Sequence, residues 1–302
     1  MINIFSAGTL FAAAARYLGL IRFSHTLFAL PFALLSYAMA VRLYGFRSLD
    51  LLGILLCMVF ARSAAMGFNR LADRDIDAEN PRTARRHLPL GIVSVGGVCA
   101  FVFVCSFGFI ASTLLFLPQN PVPLFASVPL LLFLFGYSYT KRWTSAAHFW
   151  LGTCLCAAPI AAWVAVRPEF SFAPLLLGLA VLFWTAGFDL IYATQDTEFD
   201  AKTGLFSVPG RYGTKAAFCL SAFCHIVSVF FFASVPLAYP LFGIVFEAGV
   251  AAAAIFLFFE HFLARPKRGA AIDLDRINIA FFQMNVIVSV GLFIFGAVDL
   301  LV

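Results

Sequence analysis

Three oxygen-bearing side chains recur every four residues in the stretch 69–91, which directly follows a long apolar run. A helix would place the oxygens of Asn69, Asp73 and Asp77 on one face and would turn Asp75 elsewhere. An amide and two carboxylates are hard ligands, which suit Mg2+ and not zinc or a softer metal. We name these three residues the first acidic ladder, and they predict a Mg2+ site.

Basic residues surround the first acidic ladder. Arg70 and Arg74 directly follow two of its members. Because Mg2+ usually shares its coordination shell with substrate phosphates, acids beside arginines indicate a metal-bridged diphosphate, which we predict Arg70 and Arg74 to contact. A basic segment follows that could close over the diphosphate or bind anionic lipid heads: Arg82, Arg85, Arg86 and His87. A solvated loop whose charges pair locally is the alternative interpretation.

A second acidic ladder, Asp189, Asp196 and Asp200, lies far along the chain in the stretch 189–213. Its members are separated by seven and four residues, which again corresponds to one helical face. Four apolar runs separate the two ladders, so both emerge on the same side of a membrane. Two such ladders at one surface could clamp one diphosphate between metal ions.

The composition indicates a polytopic membrane protein. Hydrophobic residues make up 63% of the chain and charged residues 12%, whereas a soluble domain is nearer half apolar and a quarter charged. The apolar runs predict nine helices that cross the membrane, within a single domain of residues 1–302. Their predicted bounds are 22–42, 49–70, 92–117, 121–139, 146–166, 171–193, 214–235, 238–262 and 277–300.

The distribution of Lys and Arg predicts the orientation. Sixteen of the 20 lie on the side that carries both ladders, three lie on the other side, and Arg62 lies within a span. The asymmetry places the N-terminus and both ladders in the cytoplasm. The formal net charge of +5 does not indicate a nucleic-acid partner, because the basic residues sit in short loops between spans.

The chain resembles the UbiA superfamily of intramembrane prenyltransferases, and within it the bacterial 4-hydroxybenzoate polyprenyltransferase-like branch. The resemblance rests on RSAAMGFNRLADRDIDAENPRTARRHLPLG (62–91) and DLIYATQDTEFDAKTGLFSVPGRYG (189–213), and extends to IRFSHTLFALPFAL (21–34) and YSYTKRWT (137–144). It implies an all-α membrane protein with nine transmembrane helices around a central cavity open to the cytoplasmic side, where Mg2+ binds a polyprenyl diphosphate.

The resemblance also implies roles for the ladders. Asn69, Asp73 and Asp77 would serve a first metal ion, and Asp196 and Asp200 a second. The chain departs from the family at one position, since many members carry Asp directly after the Asn, where this chain has an arginine.

The remaining polar residues suggest how an acceptor could be prenylated. Mg2+ and arginine would neutralise the leaving diphosphate, and an activated aromatic ring would attack the allylic carbon. Asp189 is the candidate for positioning this acceptor or removing its proton, and orienting Asp196 is the alternative.

Four basic residues at or near span ends complete the candidate site. Arg62 lies inside the membrane, where a charge is costly and is a functional candidate by default. Arg142 could meet the carboxylate of an aromatic acid with two hydrogen bonds. Lys141 and Arg22 could reach the diphosphate. The alternative for both Lys141 and Arg142 is an anchor on the positive side of the membrane.

We therefore predict a Mg2+-dependent enzyme of the bacterial cytoplasmic (inner) membrane that transfers a polyprenyl group from polyprenyl diphosphate to an aromatic acid. The acid would be 4-hydroxybenzoate or a naphthoate-type acid, in ubiquinone or menaquinone biosynthesis. The alternatives are another acceptor (haem, a chlorophyll precursor or a glycerol phosphate) or a carrier of an isoprenoid phosphate. Two ladders at one surface, with no comparable acids at mid-membrane, argue against a carrier.

Overall fold

The computed structural model describes residues 15–265 and 273–302. Lys267 and Arg268, two of the sixteen basic residues predicted on the side of the ladders, lie outside the described residues. In the described ranges, nine helical segments are long and apolar enough to cross a membrane, and no strand forms. The nine predicted spans are thereby confirmed, with most edges within a few residues. The helices are α1 (Leu30–Tyr44), α2 (Ser48–Ala72), α3 (Arg74–Glu79), α4 (Val95–Ser112), α5 (Val122–Thr140), α6 (Ala147–Val166), α7 (Phe172–Ala193), α8 (Thr197–Thr203), α9 (Val208–Ala238), α10 (Ile244–Ala264), α11 (Leu274–Ile279) and α12 (Asn285–Asp299).

The first acidic ladder crosses the junction between α2 and α3. Asp73 leaves the helical conformation (φ −94°, ψ 7°). The i to i−4 backbone pattern nevertheless continues, since the amide of Asp73 donates to Asn69 O (2.9 Å) and that of Asp77 donates to Asp73 O (2.7 Å). The spacing of the ladder therefore survives the break.

The second acidic ladder follows the same plan at the end of α7. A 3-10 turn, Thr194–Asp196, joins α7 to the short helix α8. The next helix, α9, begins at Val208, six residues before the predicted bound of 214. The backbone leaves the helical conformation at Gly213 (φ 83°) and is helical on both sides of this residue. That conformation is available to glycine at little cost.

Helix α7 lies at the centre of the bundle, where it packs against α6 and α9. A Cβ at Gly152 of α6 would meet the carbonyl oxygen of Leu182, so glycine permits the close approach of α6 to α7. Hydroxyl groups also join the helices: Ser228 Oγ of α9 donates to Ala180 O (2.8 Å) and Ser36 Oγ of α1 to Pro159 O (2.6 Å). Small residues and such hydrogen bonds stabilise helix pairs in lipid, where apolar burial does not drive association.

A π-helical segment, Ala280–Met284, joins α11 to α12 and shapes the interior. Asn285 Nδ2 donates to Phe281 O (3.1 Å) and to Glu260 Oε1 (2.9 Å). The buried Glu260 thereby anchors the segment and holds Phe281 against Tyr192 of α7, with ring centroids 4.1 Å apart. Single π-helical turns of this kind frequently occur beside functional sites.

Candidate active site

Both acidic ladders line one polar cavity of about 170 Å3. The cavity lies at the end of the bundle where α2 and α7 terminate, which we call the acidic end. All five predicted metal ligands border it: Asn69, Asp73, Asp77, Asp196 and Asp200. Residues of α5, α6 and the loop after α3 complete its wall.

Asp73 is the most enclosed carboxylate of the site, with only 3% of the residue exposed. Its Oδ2 accepts from Asn69 Nδ2 (3.1 Å) and pairs with Lys141 Nζ (2.9 Å). Its Oδ1 is buried and has no hydrogen-bond partner, although Arg142 Nη2 lies 3.6 Å away. A buried carboxylate oxygen without a partner is uncommon in proteins, and a cation is one ligand that would satisfy it.

The loop after α3 connects the two ladders through its arginines. Arg86 Nη1 lies 2.7 Å from both oxygens of Asp77. Arg82 Nε donates to Asp196 Oδ1 (2.8 Å), and Asn80 Nδ2 donates to the same oxygen (2.9 Å). This basic segment therefore covers the polar cavity and bridges the ladders.

Arg82 stays positively charged in this setting. Burial disfavours its charged form, but the hydrogen bonds with Asp196 outweigh burial and raise the pKa of the guanidinium above its ordinary value. The guanidinium also donates to Tyr192 Oη (3.0 Å). A fixed positive charge is thus held beside the second acidic ladder.

Two predicted cations lie away from the cavities. Arg74 pairs with Asp75 (2.9 Å) on the outer face of α3, where their side chains are 49% and 82% exposed. This confirms that Asp75 points away from the ladder, and the same helix geometry carries Arg74 away from the polar cavity. Arg142 donates to Ala72 O and stacks over Tyr139, so it too lines neither the polar cavity nor the adjoining one.

An apolar cavity of about 310 Å3 adjoins the polar one. The two share six lining residues: Asn69, Arg70, Arg86, Tyr137, Asp189 and Tyr192. A third cavity, of about 380 Å3, is also apolar. It shares lining residues with the 310 Å3 cavity, among them Cys57 and Ala158, and reaches Ile54 near the other end of α2. Asn69 lies fifteen positions after Ile54, which corresponds to roughly 22 Å of helix. The interior therefore offers a long apolar space that begins at the acidic end.

Arg22 and Arg62 line the apolar cavity close to the shared wall. Arg62 Nε donates to Thr26 Oγ1 (3.1 Å), and Arg62 Nη2 donates to Arg22 O (3.3 Å). Arg22 adopts a left-handed conformation (φ 47°) and reaches Tyr192 Oη at 3.5 Å. Neither arginine forms an ion pair within residues 15–265 and 273–302, so both are available to an anion.

Asp189 borders both the polar and the apolar cavity. Its Oδ2 lies 2.7 Å from His148 Nδ1. No role was predicted from the sequence for His148, Tyr137 or Tyr192. Tyr192 stands three residues after Asp189 and four before Asp196, so helical spacing could have placed it on the ladder face, whereas no local pattern connects His148 to a residue 41 positions away.

In the part of the chain that the structure describes, no three His, Cys, Asp or Glu side chains converge on one metal-sized point. The ladder carboxylates are instead balanced by Lys141, Arg82 and Arg86. Such an arrangement is compatible with Mg2+, which usually binds one or two carboxylates together with substrate phosphates and water. The all-oxygen donor set and the unpartnered Oδ1 of Asp73 fit this ion.

Comparison with known proteins identifies the class. The model of the UbiA prenyltransferase family matches residues 8–285. The chain is 31% identical over 245 residues to the 4-hydroxybenzoate octaprenyltransferase of Aromatoleum aromaticum, covering 80% of this chain and 79% of that protein. An apo UbiA homologue from Aeropyrum pernix K1 superposes with a TM-score of 0.80 at 31% identity, covering 91% of this chain and 98% of the other. A UbiA homologue from Archaeoglobus fulgidus gives a TM-score of 0.72 at 19% identity, covering 95% and 100%.

The fold and these matches define an integral membrane prenyltransferase. The chain belongs to the UbiA prenyltransferase family, which confirms the resemblance found in its sequence.

Proposed function

We propose that the protein transfers a polyprenyl group from a polyprenyl diphosphate to an aromatic acid, with 4-hydroxybenzoate as the acceptor. One observation carries the proposal: a charged cavity at the acidic end adjoins apolar cavities in the interior, which matches an anionic head and a hydrocarbon tail. The Aromatoleum relative is a 4-hydroxybenzoate octaprenyltransferase, which favours this acid over a naphthoate-type acid. The Archaeoglobus homologue of the same fold is bound to GPP and Mg2+, which supports the donor and the metal.

The diphosphate would lie in the polar cavity. Mg2+, when bound there by the five predicted metal ligands, supplies positive charge that stabilises the departing diphosphate. Lys141, Arg70, Arg82 and Arg86 border the same cavity and add fixed positive charge. Arg82 and Arg86 rest on ladder carboxylates in this structure, and we expect both to transfer to the diphosphate oxygens when the donor enters.

The acceptor would enter at the wall that the polar and apolar cavities share. Its carboxylate would pair with Arg22 or Arg62, which have no acidic partner among the described residues. In the reaction a C–C bond forms between the allylic carbon and the ring, and the C–O bond breaks with its electron pair departing on the diphosphate. The ring carbon then loses its proton to Asp189, which borders both cavities.

Alanine substitutions at Arg62 and at Arg142 should affect the binding of different substrates. We expect Arg62→Ala to raise the KM for 4-hydroxybenzoate about 30-fold or more, because losing a charge-assisted pair in a dry cavity costs roughly 2–5 kcal/mol. Arg142→Ala should instead weaken donor binding, since Arg142 stands beside Asp73. Steady-state KM values for both substrates test this. If only Arg142→Ala raised the acceptor KM, Arg142 would be the residue that binds the acceptor carboxylate, as predicted from the sequence.

Transfer itself is tested with purified protein, Mg2+ and radiolabelled octaprenyl diphosphate. The donor is offered with 4-hydroxybenzoate, a naphthoate-type acid or no acceptor, and the lipid products are separated. We expect prenylated 4-hydroxybenzoate that disappears with EDTA. Consumption of the donor without an aromatic product when either acid is present would contradict the proposed acceptor class.

We further propose that the acidic end faces the cytoplasm of a bacterial inner membrane, as the Lys and Arg distribution predicts. Glu79 lies at the acidic end and Glu169 at the opposite end, and both are exposed. In a background without the seven native cysteines, Glu79→Cys should react with an impermeant thiol reagent only from the cytoplasmic side. Glu169→Cys should react only from outside. Labelling of the two positions from the same side would contradict the span count, and a reversed pattern would contradict the orientation.

A further inference from the structure

A histidine that lies outside both acidic ladders holds Asp189, an active-site carboxylate that pairs with no lysine or arginine among the described residues. His148 is in the first turn of α6, and only 4% of it is exposed. Its Nδ1 lies 2.7 Å from Asp189 Oδ2. Among the described residues, His148 is the only side chain that hydrogen-bonds Asp189.

Three of the other carboxylates that border the polar cavity pair with cations, whereas Asp200 forms no ion pair within the described residues. Asp73 pairs with Lys141, Asp77 with Arg86 and Asp196 with Arg82. A neighbouring positive charge stabilises an ionised carboxylate and makes it a poorer proton acceptor. A neutral donor orients a carboxylate without adding that charge, and a histidine in its Nδ1–H form is such a donor.

We propose that His148 is a positioning residue for prenyl transfer, which donates from Nδ1 to Asp189 Oδ2 and turns the other carboxylate oxygen, Oδ1, toward the acceptor. This inference rests on the proposed function, in which Asp189 takes the proton of the prenylated ring carbon. Both residues border the polar cavity, and Asp189 also borders the apolar cavity where the acceptor would enter. His148 Nε2 is buried without a partner, so the only hydrogen bond of the ring is the one to Asp189.

The role differs from that of a structural histidine, and the chain supplies a matched comparison. His225 of α9 is equally buried (4% exposed), and its Nδ1 lies 3.0 Å from His261 Nε2. It lines neither the polar nor the apolar cavity. Removing either ring costs a buried hydrogen bond and some stability. Only the loss of His148 should act selectively on the chemical step.

The test compares His148→Phe, His148→Asn and His225→Phe in purified enzyme. Phenylalanine keeps the ring and removes the donor, whereas the amide nitrogen of asparagine occupies about the position of Nδ1. We expect His148→Phe to lower kcat about 100-fold, since a small misplacement of a catalytic group can cost that much, with both KM values within twofold. His148→Asn should recover at least half of the parent kcat. His225→Phe should lower the thermal midpoint without a selective loss of kcat.

A double-mutant cycle completes the test. If His148 acts through Asp189, His148→Phe should have no further effect on kcat in an Asp189→Asn background. An unchanged kcat in His148→Phe, or an additive loss in the double variant, would overturn the proposal. Should His148→Phe not fold, His148→Asn decides, because a kcat below a tenth of the parent would also overturn it. A parent enzyme that forms no prenylated aromatic acid would instead count against the proposed function.

Discussion

Alanine at Asp73 or at Asp196 should abolish prenyl transfer while leaving a protein that inserts and folds in the membrane. Each carboxylate belongs to a different ladder, and both border the polar cavity proposed to bind the diphosphate. Losing either would remove an oxygen ligand and leave Lys141 or Arg82 without its acidic partner. We expect the rate to fall by about 10³-fold or more, as for the removal of a major electrostatic contribution to a transition state. Product formation at saturating donor and a range of Mg2+ concentrations measures the effect.

Asp75→Ala is the matched control for this prediction. Asp75 lies two residues from Asp73, yet its side chain is 82% exposed and meets only Arg74, itself half-exposed. Its removal should change the rate by no more than about twofold, because exposed ion pairs contribute little. If Asp75→Ala lowered the rate as much as Asp73→Ala, the total negative charge at this surface, and not the ladder geometry, would determine turnover.

The two ladders could be predicted from the sequence because their information is local. Helical spacing relates Asn69 to Asp73 and Asp77, and backbone hydrogen bonds preserve that spacing even where α2 ends. The nine spans could also be predicted from the sequence, since the length of an apolar run indicates whether it crosses a bilayer. That both ladders lie on one side followed from counting the spans between them.

The contacts between distant segments could not be predicted from the sequence. Asn80 meets Asp196 across 116 positions, and His148 meets Asp189 across 41. No periodicity connects such residues, because their proximity depends on how α6, α7 and the loop after α3 pack. The side of a helix on which an isolated cation falls is equally non-local. Arg142 follows Lys141 directly, yet only Lys141 borders the polar cavity.

The chain length of the donor should be controlled at the boundary between the two apolar cavities. Ala158 of α6 borders both cavities, so a larger side chain there would separate the one beside the ladders from the one that reaches Ile54. We expect Ala158→Phe to lower kcat/KM for octaprenyl diphosphate about 10- to 100-fold, as overfilling a packed interior costs roughly 1–3 kcal/mol. Geranyl diphosphate, whose tail is a quarter as long, should fit in the apolar cavity beside the ladders. Its kcat/KM should fall by less than about threefold.

Leu132→Phe supplies the control for added bulk. Leu132 lies on α5 with 64% of its surface exposed, and it borders neither apolar cavity. Its substitution should leave the preference between the two donors unchanged. The ratio of kcat/KM for octaprenyl over geranyl diphosphate is the decisive measurement, because a general loss of stability lowers both values and cancels in the ratio. An equal loss for both donors in Ala158→Phe would mean that the tail does not pass Ala158. The cavity that reaches Ile54 would then have no part in donor binding.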